Sequence, residues 1–213
     1  MTRISSRLAL FIATFALLSL PSCSRVGAQT AASTETLVIF RHGEKPPNGL
    51  GQLTCRGLNR ALALPAVLQA KFGRPNFLFA PDPAKRVMDG LHGEFSYVRP
   101  LATIEPTAIS LGLPVNAQFG YNEIDKLQAE LTQPKYASAT VFIAWEHVLE
   151  ERFARNLLKT YGADPRQVPN WSNSEYDMIY VVRLTRANGK TSATFTLDRE
   201  GLDGKLADQC PVR

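Results

Sequence analysis

The sequence has few of the features that mark several common classes of protein. It contains only three cysteines and three histidines in 213 residues, and no Cys, His or Asp cluster has the spacing of a metal site. After residue 28 no apolar run approaches the ~20 residues of a membrane-spanning helix, and no repeat or low-complexity block occurs. These absences argue against a metalloprotein, a membrane-spanning protein and a repeat protein, and we predict no cofactor. The remaining composition, 45% hydrophobic and 20% charged, is that of a globular domain.

A strong charge of one sign is also missing from most of the chain. The formal net charge is +5, from 24 basic and 19 acidic residues, but three of the arginines precede Ala28 and the first acid is Glu35. Without residues 1–28 the count is 21 basic against 19 acidic residues, a net of +2. We therefore predict no nucleic-acid partner.

The N-terminus has the pattern of an export signal. Two early arginines precede Leu8 to Leu20, a 13-residue run that is too short to span a bilayer but typical of a signal peptide. Small residues before Ala28 fit cleavage after a signal peptide of residues 1–28. Leu20 to Cys23 instead resembles a lipobox, which would place a lipid on Cys23. Both readings predict export, either to the periplasm or as an outer-membrane lipoprotein whose only membrane contact is that lipid.

The part of the chain that would be exported is predicted to consist of a linker and one domain. Residues 29–35 are small and polar, and residues 36–213 form the predicted domain. Cys55 and Cys210 are an even pair in an oxidising compartment, which favours a disulfide, with two separate buried thiols as the alternative.

The order of predicted elements is that of an α/β protein. Short apolar runs predict buried strands, helical patterns lie between them, and an Asn-Gly turn joins two late strands. We therefore predict a mainly parallel central sheet with a C-terminal hairpin that adds antiparallel character. The predicted strands are 36–40, 76–80, 139–144, 178–184 and 191–197; the predicted helices are 56–71 (capped by Thr54), 101–111, 122–131 (capped by Asn122) and 148–161; residues 81–98 are predicted to be a long loop.

Two of the three histidines directly follow predicted buried strands. His42 comes after the strand at 36–40, beside Arg41, and His147 comes after the strand at 139–144. In open α/β sheets, functional groups gather beyond the carboxyl ends of the strands, so these two histidines are candidates for one site. The third, His92, falls in the 81–98 segment and is expected to be exposed.

The motif around His42 resembles the signature of the histidine phosphatase superfamily, which includes phosphoglycerate mutases and acid phosphatases. Arg-His-Gly-Glu at 41–44 follows a hydrophobic strand, as in that family. Further similarities follow in order along the chain: Leu-Thr-x-x-Gly at 53–57, Arg-x-x-x-Thr at 99–103 before Leu-Gly-Leu at 111–113, the second histidine segment at 144–147 and the tryptophan-to-aspartate stretch within 171–181. The resemblance implies a three-layer, phosphoglycerate mutase-like fold with helices on both faces of the sheet.

The resemblance also implies a chemistry. His42 would be the nucleophile of a metal-independent phosphomonoester hydrolase, with a backbone carbonyl fixing its other ring nitrogen and a phosphohistidine as the intermediate. Arg41, Arg99 and His147 would bind the phosphoryl oxygens of a small phosphorylated substrate. For the general acid, Glu123 lies near the family position and is favoured, with Glu146 and Glu44 as alternatives.

The sequence departs from the family pattern in the region of the predicted second strand. Ala80 stands where a serine is usual, and the 81–98 segment is longer than in compact members, so we expect a remodelled pocket rim. A non-catalytic, phosphate-binding envelope module of the same fold is the alternative hypothesis.

Overall fold

The computed structural model describes residues 31–89 and 93–211, in which one main sheet is flanked by four helices. Two further turns of 3₁₀ helix occur at Pro134–Tyr136 and Pro165–Gln167. The elements are β1 (Ser33–Arg41), α1 (Cys55–Phe72), β2 (Phe77–Phe79), β3 (Arg86–Met88), β4 (Glu94–Ser96), α2 (Arg99–Leu111), β5 (Val115–Asn116), α3 (Ile124–Leu131), β6 (Thr140–Trp145), α4 (His147–Thr160), β7 (Met178–Ala187) and β8 (Lys190–Arg199).

The main sheet has the order β5-β2-β6-β1-β7-β8. Its first four strands are parallel, whereas β7 pairs antiparallel with β1 and with β8. The β7–β8 hairpin turns at Asn188, which has a positive φ of 51°, and Gly189. The prediction of a mainly parallel sheet with an antiparallel C-terminal hairpin is confirmed.

Both faces of the sheet are covered, because side chains along β1 alternate between two apolar cores. Leu37 and Ile39 pack in the core that includes residues of α3 and α4. Val38 and Phe40 pack in the core that includes residues of α1 and α2. Helix, sheet and helix therefore form the three layers that the family resemblance implies.

Two local predictions were wrong. The 81–98 segment is not only a loop, because β3 and β4 within it form an antiparallel hairpin. Helix α3 begins at Ile124 with Glu123 at the capping position, so Asn122 does not cap it. The cap of α1 is confirmed, since the Thr54 hydroxyl accepts a hydrogen bond of 3.1 Å from the backbone N–H of Gly57.

Three glutamates are fully buried in the domain. Burial raises the pKa of Glu35 to about 7, against the opposing effect of Arg186, whose Nη2 lies 2.7 Å from it. Burial raises the pKa of Glu200 to about 8, although Glu200 pairs with the buried Arg60. The pKa of Glu150 is raised well above its ordinary value, again chiefly by burial. Burial outweighs the attraction of the neighbouring cations at all three positions.

The C-terminal tail is fixed to the start of α1. Cys55 and Cys210 form a disulfide across 155 residues of chain, as predicted. Beside it, the Asn59 amide donates to the carbonyls of Ala207 and Gln209, at 2.8 Å each. The proposed signal peptide and Cys23 lie outside the described residues. Within 31–89 and 93–211, no helix is long and apolar enough to cross a membrane.

The disulfide should stabilise the domain because it restricts the unfolded chain over a long loop. We expect Cys210→Ser to lower the free energy of unfolding by about 2–4 kcal/mol, measured by urea denaturation monitored by circular dichroism. Dithiothreitol should destabilise the wild type by a similar amount and leave the Cys55→Ser/Cys210→Ser variant unchanged. Equal stability of wild type and Cys210→Ser would contradict this role.

Candidate active site

The two predicted site histidines leave the sheet side by side. Arg41 ends β1 and pairs with Trp145, which ends the parallel strand β6. The backbone N–H of His42 continues the ladder by donating to the Trp145 carbonyl at 3.1 Å. His147 is the first residue of α4. The strand pairing therefore delivers both imidazoles to the same edge of the sheet.

A cavity of about 600 Å³ lies at this edge, and His42 and His147 both line it. Arg41 and Arg99 line the same cavity, so the structure brings together all four residues predicted to bind or attack a phosphoryl group. All four are buried.

The tautomer of His42 is set by its own backbone neighbour. Its Nδ1 lies 2.7 Å from the Gly43 carbonyl, which can only accept, so Nδ1 carries the hydrogen and Nε2 keeps a free lone pair. Burial lowers the pKa of His42 well below 6.5, and the charges of Arg99 and Arg41 lower it further. The ring is therefore a neutral imidazole with a nucleophilic nitrogen.

Gly43 is needed where the motif crosses α1. A Cβ atom at Gly43 would lie 2.8 Å from the Gly57 carbonyl oxygen, closer than packed atoms approach. The Gly43 N–H donates to the Thr103 hydroxyl at 2.9 Å, and that hydroxyl donates to the Arg99 carbonyl at 2.8 Å. The first motif and the start of α2 are thus held in one arrangement.

Arg41 is anchored by the loop before β7. Its Nη1 donates to the carbonyls of Ser172, Asn173 and Glu175, at 3.3, 2.9 and 2.8 Å. Its Cζ lies 3.9 Å from the centre of the Tyr176 ring. Its buried Nε has no hydrogen-bond partner among the described residues. The anchoring contacts therefore leave one edge of the guanidinium, Nε and Nη2, uncommitted.

Arg99 is anchored in a similar way by a carboxylate. Its Nη1 pairs with Asp89, which also accepts from Lys45 Nζ at 3.1 Å and from the Gly51 N–H at 3.2 Å. Burial alone would raise the pKa of Asp89, but these donors, above all Arg99, hold it below its ordinary value. The buried Nε of Arg99 again has no partner in the described part of the chain.

His147 lies between two oxygen atoms. Its Nε2 is 2.7 Å from the Asn173 side-chain oxygen, and its Nδ1 is 2.6 Å from Glu146 Oε1. The contact with Glu146 does not have the alignment of a hydrogen bond, so the buried Nδ1 is left without a partner among the described residues. Beside His42, Arg41 and Arg99 thus each keep a buried Nε unpaired among the described residues, whereas Nδ1 of His147 faces the Glu146 carboxylate.

The three candidate acids occupy different places. Glu146 lines the cavity, whereas Glu123 and Glu44 do not. Glu123 accepts from the Gly120 N–H at 2.8 Å and pairs with Lys126 at 2.6 Å, so the favoured acid is turned to the surface at the start of α3. Glu44 pairs with Arg60 at 2.8 Å and Arg56 at 3.2 Å and has a structural role. Of the three candidates, Glu146 is therefore the one that the structure places at the cavity, and the identity of the general acid stays a prediction.

Glu146 caps α4 and is a carboxylate at rest. Its Oε2 accepts from the Leu149 N–H at 3.0 Å. Burial raises its pKa, but His147 and the N–H groups at the helix start outweigh burial and hold the pKa below its ordinary value.

Sequence reasoning missed several residues of the cavity. Asp89 and Tyr97 come from the 81–98 segment, which therefore borders the cavity, and Lys45 and Asn173 come from loops. The only available signals were indirect: Tyr97 lies two residues before Arg99, and Asn173 lies in the tryptophan-to-aspartate stretch. His92 lies outside the described residues. Within the described ranges no group of three or more His, Cys, Asp or Glu is placed to hold a metal ion.

Comparison with solved structures shows the same architecture in other proteins. A proposed phosphohistidine phosphatase SixA of Nakamurella multipartitia superposes with a TM-score of 0.52 and 16% identity, covering 80% of this chain and 97% of that one. A proposed α-ribazole-5′-phosphate phosphatase of Escherichia coli K-12 gives 0.52 and 12%, covering 84% and 99%. The chain has the histidine phosphatase fold.

Sequence comparison adds nothing to this fold assignment, since neither protein-family models nor curated protein sequences gave a match. A phosphoglycerate mutase of Plasmodium falciparum also superposes, with a TM-score of 0.49 and 12% identity over 77% of this chain and 89% of that one.

The environment of His42 predicts an unusual titration. We expect its imidazole to stay neutral as the pH falls through 6.5, because burial and two arginines oppose the charged form. Unfolding restores the ordinary pKa, so this group makes the fold less stable as the pH falls below 6.5. ¹⁵N NMR of the histidine side chains, with His42→Ala to assign the signals, measures the pKa. A midpoint at or above 6.5 would disprove the expectation.

Proposed function

We propose that the protein is a phosphatase that hydrolyses a phosphomonoester through a phosphohistidine on His42. The observation that supports this proposal is which guanidinium nitrogens of the two arginines are already bound by the protein. Arg41 and Arg99 are each held through Nη1, which leaves the Nε–Nη2 edge of both, and that edge can bind two phosphate oxygens at once. Both line one cavity with the free Nε2 of a neutral His42.

The first step transfers the phosphoryl group to the protein. His42 Nε2 attacks phosphorus, the bond to the ester oxygen breaks, and the leaving oxygen takes its proton from solvent water, because Glu146 is already ionised. Arg41, Arg99 and His147 neutralise the charge on the three non-bridging oxygens as the bond breaks. Charged and hydrogen-donating side chains of this kind stabilise such a transition state, so we propose a metal-independent reaction.

The second step returns His42 to its starting state. Water attacks phosphorus, the N–P bond breaks, and phosphate leaves. We assign the proton from this water to Glu146, because its lowered pKa makes it a carboxylate able to act as a base in the cavity.

Two considerations favour a phosphatase that acts outside the cytoplasm. Two proteins with the same fold are named as phosphatases, and the N-terminal pattern predicts export, which does not suit a glycolytic mutase. We propose that the substrate is a small phosphorylated molecule. The reaction would take place in the periplasm, or at a membrane to which a lipid on Cys23 attaches the protein.

Replacing the nucleophile tests the proposal directly. We expect His42→Ala to lower kcat for an aryl phosphate by about 10³-fold or more and to abolish acid-labile ³²P-phosphohistidine trapped by rapid quench. The matched control is Lys159→Ala, on the exposed face of α4, which should retain full activity. Full activity of His42→Ala would disprove the mechanism. Phosphate binding without turnover by the wild type would support the non-catalytic module instead.

The base is tested by comparing two glutamates. We expect Glu146→Gln to slow turnover by about 10²–10⁴-fold and to accumulate phosphohistidine, because hydrolysis of the intermediate loses its base. Glu123→Gln should behave as wild type. The reverse result, with Glu123→Gln impaired and Glu146→Gln unaffected, would contradict the assignment of the base to Glu146 and would favour Glu123 as the acid–base group. Quench-flow with an aryl phosphate measures both the burst and the steady state.

A further inference from the structure

Tyr97 lies in the site and belongs to the 81–98 segment, which was predicted to be a loop. It follows β4 and precedes α2, and the next two backbone N–H groups, of Val98 and Arg99, both donate to the Gly51 carbonyl at 3.0 Å. The side chain is fully buried, yet it lines the same cavity as His42. The backbone that follows Tyr97 is therefore tied to Gly51.

The ring of Tyr97 contacts the groups that carry the proposed chemistry. Its centre lies 6.1 Å from that of the His42 imidazole, edge to face, and 5.3 Å from that of Tyr121. The guanidinium carbon of Arg99 lies 4.8 Å from the ring centre. Tyr97 thus packs between the proposed nucleophile and a proposed phosphate ligand.

The hydroxyl of Tyr97 is buried without a hydrogen-bond partner in the described part of the chain. Buried hydroxyls are normally paired, because leaving one unpaired is unfavourable. Burial raises the pKa of Tyr97, as do the nearby carboxylates Glu146 and Glu150, while Arg99 opposes them. The hydroxyl therefore keeps its proton and remains a donor, and Tyr97 lines a cavity in which a negatively charged acceptor would satisfy it.

We propose that the Tyr97 hydroxyl donates a hydrogen bond to a non-bridging oxygen of the phosphoryl group. This inference rests on the proposed phosphatase function and adds a fourth donor to Arg41, Arg99 and His147. The ring packs against Arg99, which the proposed function assigns to the non-bridging oxygens, so we assign its hydroxyl to the same oxygens. An uncharged donor there binds phosphate without adding to the positive charge that already depresses the protonation of His42.

The variant Tyr97→Phe removes only the hydroxyl oxygen. We expect it to weaken inhibition by vanadate and binding of inorganic phosphate by about 10- to 100-fold, the range for a hydrogen bond to a charged group. The loss in kcat/KM should be the same for a series of aryl phosphates with different leaving groups. The melting temperature should be equal to or above that of the wild type, because the lost hydroxyl has no partner in the protein.

Tyr161→Phe is the matched control, since it makes the same chemical change at the far end of α4, and it should leave all three measurements unchanged. Wild-type vanadate inhibition and kcat/KM in Tyr97→Phe would overturn the inference. A loss that grows with the pKa of the leaving group would also overturn it, because it would place the hydroxyl on the ester oxygen. If Tyr97→Phe gives either of these results while His42→Ala is inactive, only the inference on Tyr97 fails. If His42→Ala is fully active, the proposed function fails.

Discussion

The parallel pairing of β1 with β6 is the constraint on which the site depends. The pairs run in register from Thr36–Thr140 to Arg41–Trp145, so both strands end at the same level. A slip of one residue in this register would turn every side chain of the shifted strand to the opposite face of the sheet, so residues of one core would face the other core. Because the strands end together, one histidine follows each of them at the same edge. Arg41 ends β1 beside them, and the start of α2 supplies Arg99.

The sequence was sufficient for the parts of the fold that local physics determines. Apolar, β-branched runs such as 36–40 are buried on both faces and have few alternative structures, so β1 and β6 could be predicted to within a few residues. The Asn188-Gly189 turn and the Thr54 cap are determined by a few neighbouring residues. The meeting of His42 with His147 followed from a rule about strand ends, and the prediction of Arg99 as the second phosphate-binding arginine depended on resemblance to a family.

The rest could not be predicted because it depends on contacts between distant segments. Glu123 and Asn122 are neighbours, and only the observed start of α3 decides that Asn122 lines the cavity while Glu123 takes the N-cap position and pairs with Lys126. Asp89 pairs with Arg99 only because β3 and β4 fold the 81–98 segment back on itself. The three carbonyls that hold Arg41 come from residues more than 130 positions later, and no periodic pattern in the sequence encodes such a contact.

The three buried glutamates couple folding to proton uptake. Glu35, Glu150 and Glu200 have raised pKa values in the folded domain, so the native state binds protons that the unfolded chain releases at neutral pH. This contribution to stability is fully present below pH 4.5, the ordinary pKa of the side chain, and is lost as the pH rises to about 7 for Glu35 and about 8 for Glu200. The formal count assigns each a full negative charge, so the folded molecule is more cationic than its composition indicates. A protein exposed to the pH of its surroundings would gain resistance to mild acid from side chains that never reach the surface.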